Sequence, residues 1–142
     1  MADTVTKEVR SRIMSSVRQW DTSAERLVRS FLYAQGFRFR LHRRDLPGSP
    51  DIVLPRYRTV IFVHGCFWHQ HRGCQKARRP SSNKDYWDRK LDENVQRDKR
   101  KATELRKLGW KVITIWQCET RSPDLMIKKL AKLNESKSKL DH

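Results

Sequence analysis

Acidic residues are scarce in this 142-residue chain: 16 Asp and Glu stand against 32 Lys and Arg, a net charge of +16. An imbalance this large, spread along the chain, points to a polyanionic partner, nucleic acid before any other. A surface that need only stay soluble rarely carries so one-sided a balance. Long apolar runs are missing too. No stretch approaches membrane-spanning length and the opening Met-Ala-Asp-Thr has no apolar signal core, so the expectation is an intracellular, cytoplasmic protein. Cysteine is nearly absent, with three residues, and in a reducing compartment such thiols are open to metal rather than to disulfides. Internal repeats are absent. The length suits one domain with a real core and is too short for two.

Along the chain, residues 1–20 are polar, with Val9, Ile13, Met14 and Val17 at helical spacing among arginines. They read as a weak amphipathic helix or as a basic arm that orders on a partner. The body spans 21–133. Asp21 and Thr22 offer N-caps, Glu25 stands at the third helical position, and Ala24, Leu27, Val28, Phe31 and Leu32 keep a 3.6 period until Gly36 stops this core helix. Phe37–Leu41 alternates as a strand, 42–49 is a loop, and Pro50–Leu54 and Thr59–His64 complete an antiparallel meander. Residues 75–83 form a basic, turn-rich loop. A long helix then runs from Lys84 to Leu108, with Trp87, Leu91, Val95, Ala102 and Leu105 in one stripe and Gly109 as its stop. Asp98 falls in that stripe, where a carboxylate is either at a wet edge or has a partner. Trp110–Trp116 is a fourth strand in a parallel crossover from the third. Ser122-Pro123-Asp124 caps a last helix through Leu133, and 134–142 is a basic tail. The order αβββαβα predicts an α/β fold with one mixed sheet, gathering Asp51, His64, His69 and Asp98 at strand ends.

The densest chemistry lies in Val60-Ile-Phe-Val-His64-Gly-Cys66-Phe-Trp-His69-Gln-His71-Arg-Gly-Cys74. Cys66, Cys74 and Cys118 with one histidine make a Cys3His set suited to tetrahedral zinc, and four protein ligands leave it purely structural. Free cysteine is often mere core, but clustering with histidine beside glycine argues for metal. Spacing alone leaves His69 and His71 equal as the nitrogen ligand. Asp51, after Pro50, is either a turn aspartate capping amides or a hard oxygen ligand for Mg2+. His64 or His69 has the chemistry to take a proton from an attacking water, with Asp98 orienting one of them. Phe67, Trp68 and Trp87 read equally as a small local core or as wedges against bases.

Five segments carry a resemblance: Leu46-Pro-Gly-Ser-Pro-Asp51-Ile-Val, Val60 to His69, Asn94-Val-Gln-Arg-Asp98, Leu108-Gly-Trp-Lys-Val and Trp116-Gln-Cys118. In that order, over about residues 7–133, the chain resembles the very short patch repair (Vsr) DNA mismatch endonucleases, with His-Gly-Cys-Phe-Trp-His as a specific signature. The resemblance implies a restriction-endonuclease-like fold of the PD-(D/E)xK superfamily with a structural zinc site. It implies a magnesium-dependent endonuclease that nicks the thymine strand at T:G mismatches left by deamination of 5-methylcytosine.

By position, it implies Asp51 as the magnesium-binding aspartate, with the main-chain carbonyl of Val63 as second protein ligand. His69 matches the general base, Asp98 its acidic partner, and His64 a second imidazole that helps to neutralise charge near the scissile phosphate. Glu25 matches a further acidic site residue, although its place in a capping box would alone explain it. Cys66, His71, Cys74 and Cys118 match the zinc ligands. Phe67, Trp68 and Trp87 match aromatics that intercalate beside the mismatch, Asn94 lies in a DNA-binding segment, and Met14 falls where an N-terminal helix approaches the minor groove. The expected partner is double-stranded DNA with a T:G mismatch, met by a monomer without a membrane, and other mismatch-repair proteins are candidate partners. A zinc-dependent DNA-binding module without chemistry would explain charge, cysteines and tryptophans, but not the gathering of Asp51, His64, His69 and Asp98. A nuclease of different structural specificity is a second alternative.

Overall fold

The computed structural model describes residues 23–133 and 135. The arm expected at 1–20 with Met14, the caps expected at Asp21 and Thr22, and the tail at 134–142, Glu135 aside, lie outside the described residues. The elements run α1 (Ser23–Ala34), β1 (Arg40–Leu41), β2 (Ile52–Leu54), β3 (Thr59–His64), α2 (Lys84–Lys107), β4 (Lys111–Trp116) and α3 (Pro123–Lys129). Short 3-10 turns occupy Pro55–Tyr57, Gln75–Ala77 and Gln117–Arg121. One sheet is ordered β1-β2-β3-β4, with the first two pairings antiparallel and β3–β4 parallel. The mixed α/β character expected from the sequence is present.

Helices α1 and α2 end in the same way, and the ending explains where the strands begin. Gly36 takes φ +89 and donates to the Tyr33 carbonyl, while the Phe37 N–H reaches back 3.0 Å to Leu32. After α2, Gly109 at φ +90 donates to Arg106 and Trp110 reaches 3.0 Å to Leu105. Both are Schellman closures, in which glycine supplies the left-handed residue and the next residue packs on the last turn. Phe37 and Trp110 thereby spend their N–H groups on the helix and cannot join the ladder. The strand expected from Phe37 therefore begins only at Arg40, and the one expected from Trp110 begins at Lys111. Pro50, which has no N–H, likewise delays β2 to Ile52. Helix α3 ends at Lys129, a turn follows at Leu130, and residues 131–133 are helical again, so that Leu130 and Leu133 reach the core.

Period-two alternation divides the interior between the two faces of the sheet. Ile52, Leu54, Ile61, Val63 and Ile115 face α1 and α3, joining Val28, Leu32, Phe37, Met126 and Leu130. Val53, Val60 and Phe62 face the other way, onto Leu105 and Trp110 around α2. His64 continues the second set, so the last residue of β3 points toward the α2 side. In α2 the expected stripe buries Trp87, Leu91 and Leu105, with Val95 and Ala102 half-buried. No helix among the described residues is long and apolar enough to cross a membrane.

Candidate active site

Between the ends of β2 and β3 and the middle of α2 lies a cleft of about 590 Å³, lined by Asp51, His64, His69, Asn94, Asp98 and Lys101 among others. Asp98, the polar residue in an otherwise apolar stripe, has a partner: its Oδ2 lies 2.6 Å from His69 Nδ1. A carboxylate accepting at Nδ1 keeps the proton there and leaves Nε2 with its lone pair, the arrangement of an oriented base. His64 stacks on His69, ring centroids 3.9 Å apart and planes within 8°.

His64 is itself buried, and burial pushes its pKa down to about 3, with the neighbouring His69 pushing the same way. Burial beside a second imidazole favours its neutral form, which leaves it a hydrogen-bonding group stacked on His69. Its Nδ1 has no partner among the described residues.

Asp51 sits just before β2. The Val63 N–H donates to its Oδ2 at 2.7 Å, which holds the carboxylate against β3. The pairing Ile52↔Ile61 and Val53↔Val60 continues to place Val63 opposite Pro50. In an antiparallel pair a residue's N–H and C=O point to the same side, and proline has no donor for that carbonyl. The Val63 carbonyl and the Asp51 carboxylate are thus left on one side of the strand, a hard-oxygen pair fitting a small divalent cation. Burial pushes the Asp51 carboxyl up to about 7, opposed by the Val63 N–H and reinforced by nearby Glu25. Such a group gains most when a cation takes the place of its proton.

A titration experiment follows. The folded state keeps the Asp51 proton up to about pH 7, whereas the unfolded chain releases it in the ordinary carboxylate range. Between those limits the folded state binds the extra proton, so Asp51 makes folding less favourable as pH rises through the window. His64 acts oppositely, adding stability as pH rises from about 3 to the unfolded value. Comparing wild type with Asp51→Asn cancels the histidine. In metal-free buffer the variant should gain on wild type by a few kcal/mol between pH 5 and pH 8 in thermal melts. Mg2+ added at pH 8 should stabilise the wild type alone. Parallel pH profiles for the two proteins would refute the buried, cation-seeking carboxylate.

His42 completes this end of the cleft and was not expected from the sequence, where it is one residue of a loop. Its Nε2 is 3.2 Å from Glu25 Oε1 and its Nδ1 is 4.0 Å from Asp51 Oδ1. The signal was the strand register: Leu41 pairs with Ile52, so His42 must stand opposite Asp51, and its N–H bonds the Asp51 carbonyl at 3.1 Å. Glu25, from α1, is only 2% exposed.

The thiols gather at the neighbouring strand end. Because His64 pairs with Trp116 in the parallel β3–β4 ladder, the same offset sets Cys66 beside Cys118. Ligand atoms of Cys66, His71, Cys74 and Cys118 all lie within 4.8 Å of one another. His71 Nδ1 is 3.8 Å from Cys66 Sγ and 3.4 Å from Cys118 Sγ, against the ~3.5 Å expected across a tetrahedral zinc from its bond lengths. Burial pushes the Cys66 thiol up to about 12, so ionising it here calls for a soft cation. His71 is the histidine brought to the cysteines, while His69 belongs to Asp98. Trp116 lies between the two centres, stacked on His71 at 4.3 Å and edge-on to His64 at 5.2 Å.

Phe67, Trp68 and Trp87 form a third apolar cluster with Leu91. Trp68 and Trp87 are 6% and 8% exposed, so they pack as a local core, and Phe67 is the half-buried ring at its surface. Of the two readings open from the sequence, a small local core and wedges against bases, this packing is that of the core, with the Trp68 and Trp87 ring centroids 6.1 Å apart and their planes tilted by 52°. The Trp68 Nε1 donor is nonetheless buried with no partner among the described residues. Arg79 ties this loop to α2, bonding Gln70, Asp88 and Asp92, and Asn94 donates to the Trp68 carbonyl at 3.3 Å.

The family model described as DNA mismatch endonuclease Vsr matches residues 2–76, just over half of the chain. The chain belongs to the Vsr family. Its relatives include the type II nicking enzyme V.XorIIP of Xanthomonas oryzae pv. oryzae, 51% identical over 119 residues, 84% of this chain and 87% of that protein. The type II nicking enzyme V.NmeAIP of Neisseria meningitidis is 44% identical over 133 residues, 94% of each chain. The DNA mismatch endonuclease Vsr of Escherichia coli is 42% identical over 121 residues, 85% of this chain and 77% of that protein.

Proposed function

We propose that this chain, an endodeoxyribonuclease by its family, is a magnesium-dependent enzyme that nicks the thymine strand of a T:G mismatch. The sheet and its helices belong, on this reading, to the restriction-endonuclease-like class, with a structural zinc at the Cys3His cluster. The carrying observation is the oriented pair of His69 and Asp98, facing Asp51 across one cleft. A DNA-binding module without chemistry would have no use for it.

His69 Nε2 takes the proton of an attacking water, and Asp98 holds the ring and balances the imidazolium that results. Asp51, with the Val63 carbonyl, would hold Mg2+, which when bound supplies Lewis-acid stabilisation of the charge on the phosphate and on the leaving 3′ oxygen. His64 holds the His69 ring plane by stacking. The basic surface supplies affinity without sequence information.

Selectivity falls to the aromatic loop. A T:G step is weakly paired, so a ring wedged there meets a lower unstacking cost. On this reading the half-buried Phe67 leads, with the buried Trp68 and Trp87 behind it. The unpartnered Trp68 N–H, a feature worth about 1–3 kcal/mol against the packed form, supports a cluster that opens on DNA. Phe67→Ala should therefore weaken T:G preference by roughly 1–3 kcal/mol, nearly independently of salt, and leave matched-duplex affinity unchanged. Equal losses on both duplexes would mean that the mismatch is read elsewhere. The direct test is a nicking assay on T:G and matched duplexes with Mg2+ or EDTA: nicking of the T:G duplex alone, and only with Mg2+, is expected. Equal cutting of both duplexes would overturn the specificity, and activity in EDTA would overturn the metal requirement.

A further inference from the structure

Three Lys and Arg side chains line the cleft, and they are not alike: Arg44 and Arg97 are exposed, whereas Lys101 is half-buried. Lys101 follows Asp98 by three residues on α2, and residues three apart share a helix face. The helix thus delivers a carboxylate and an ammonium to the same opening. The Lys101 charge reaches both sides of the cleft, favouring the ionised form of Asp51 and the neutral form of His64.

Its stem is also confined. A Cβ placed on Gly48 would lie 2.6 Å from Lys101 Cδ and 2.7 Å from Cγ, closer than such atoms approach. Gly48 holds φ +75 in the turn that bonds Ser49 N–H to the Leu46 carbonyl at 3.1 Å. Glycine here does two things: it makes the left-handed turn and it leaves the flat surface across which the lysine lies. A lysine that served only general attraction to DNA would keep its rotamer freedom, worth up to about 2 kcal/mol. This one is held in place by a loop that contributes Asp51 three residues after Gly48.

We propose that Lys101 is a phosphate-binding residue of the nuclease, its ammonium taking a non-bridging oxygen of the scissile phosphate. The proposal rests on the reading of this cleft as a phosphodiester-cleaving site. As the water oxygen bonds to phosphorus and the bond from phosphorus to the 3′ oxygen breaks, the water's proton goes to His69 Nε2. The 3′ oxygen leaves with the bonding pair and is protonated from solvent. Lys101 gives up no proton; its N–H donors hold the charge carried by the non-bridging oxygen.

The test compares Lys101→Gln, Lys101→Arg and, at the exposed end of the same helix, Lys107→Gln. Single-turnover nicking of a T:G duplex is measured at saturating protein, with duplex affinity and the Mg2+ concentration for half-maximal rate. Lys101→Gln should slow the saturated rate by about a hundredfold or more, with no greater loss of affinity than Lys107→Gln and no change in Mg2+ requirement. Lys101→Arg should recover most of the rate. A wild-type saturated rate in Lys101→Gln, or a loss confined to affinity, overturns the proposal by making Lys101 an ordinary surface cation. A shift in Mg2+ requirement with an unchanged maximal rate overturns it in favour of a neighbour that tunes Asp51. Failure of the wild type to nick any duplex instead overturns the nuclease reading, and this proposal with it.

Discussion

Asp51→Ala and His69→Ala are each expected to lower single-turnover nicking of a T:G duplex by about 10³-fold or more, while folding and duplex binding persist. A positioned base contributes roughly 10²–10⁴ in rate, and for Asp51 the loss adds removal of the carboxylate that would hold the cation. The fold should survive because neither side chain belongs to the apolar clusters on the two sheet faces. Asp98→Asn should fall between these variants and wild type, since the ring keeps a neighbour but loses the charge that balances its protonated form. Rates are compared with circular dichroism and duplex affinity on the same preparations. Near-normal cleavage by Asp51→Ala or His69→Ala would remove these residues from the chemistry and leave the cleft without a catalyst.

Cys118→Ser is expected to lower thermal stability and zinc content together, by several kcal/mol, on the order of a whole domain's margin. Cys118 is the one member of the Cys3His set that lies beyond β4; Cys66, His71 and Cys74 follow β3. Its loss would release the tie between the two parallel strand ends, where His64 pairs with Trp116. His71→Ala should behave the same way, whereas His69→Ala should keep its zinc. Elemental analysis beside melting curves, with and without EDTA, decides the matter. A fully folded wild type carrying no zinc would refute the structural metal.

Much of this was legible because the pattern and the chemistry agreed. Alternation in β3 and the single-stripe period of α2 are strong signals, and Asp98 stood out as the residue that broke the stripe. Its partner was one of two histidines that spacing could not separate, since His69 and His71 are both within reach of the cysteines in sequence; the family resemblance separated them, and the folded loop turns one to Asp98 and the other to the thiols. The strand starts at Phe37 and Trp110 were misplaced because alternation says nothing about an N–H already used by a Schellman closure. His42 was missed because its meaning depends on register, and register is a property of two strands at once. For Lys101 a signal existed, three residues after Asp98, but a lysine in a chain with 32 basic residues attracts no notice until its stem is seen against Gly48. The packing of Trp68 against Trp87 was open from the start, because an aromatic beside a loop serves equally well in a small core or on a base.

The sheet also dictates an order of events during folding. Strands β1, β2 and β3 pair with close neighbours along the chain, whereas β3 and β4 pair at an offset of 52 residues, Thr59 with Lys111. Contacts at long sequence separation carry the larger loop-closure cost and form late. Cys66, His71 and Cys74 lie within nine residues of one another, so a chain folding in the presence of zinc can seize the ion before β4 arrives. On the zinc reading, an ion held there would have only the three donors of one loop until Cys118 is brought in by β4. The fourth donor would arrive with the fourth strand, so completing the sheet and closing the metal site would be a single event.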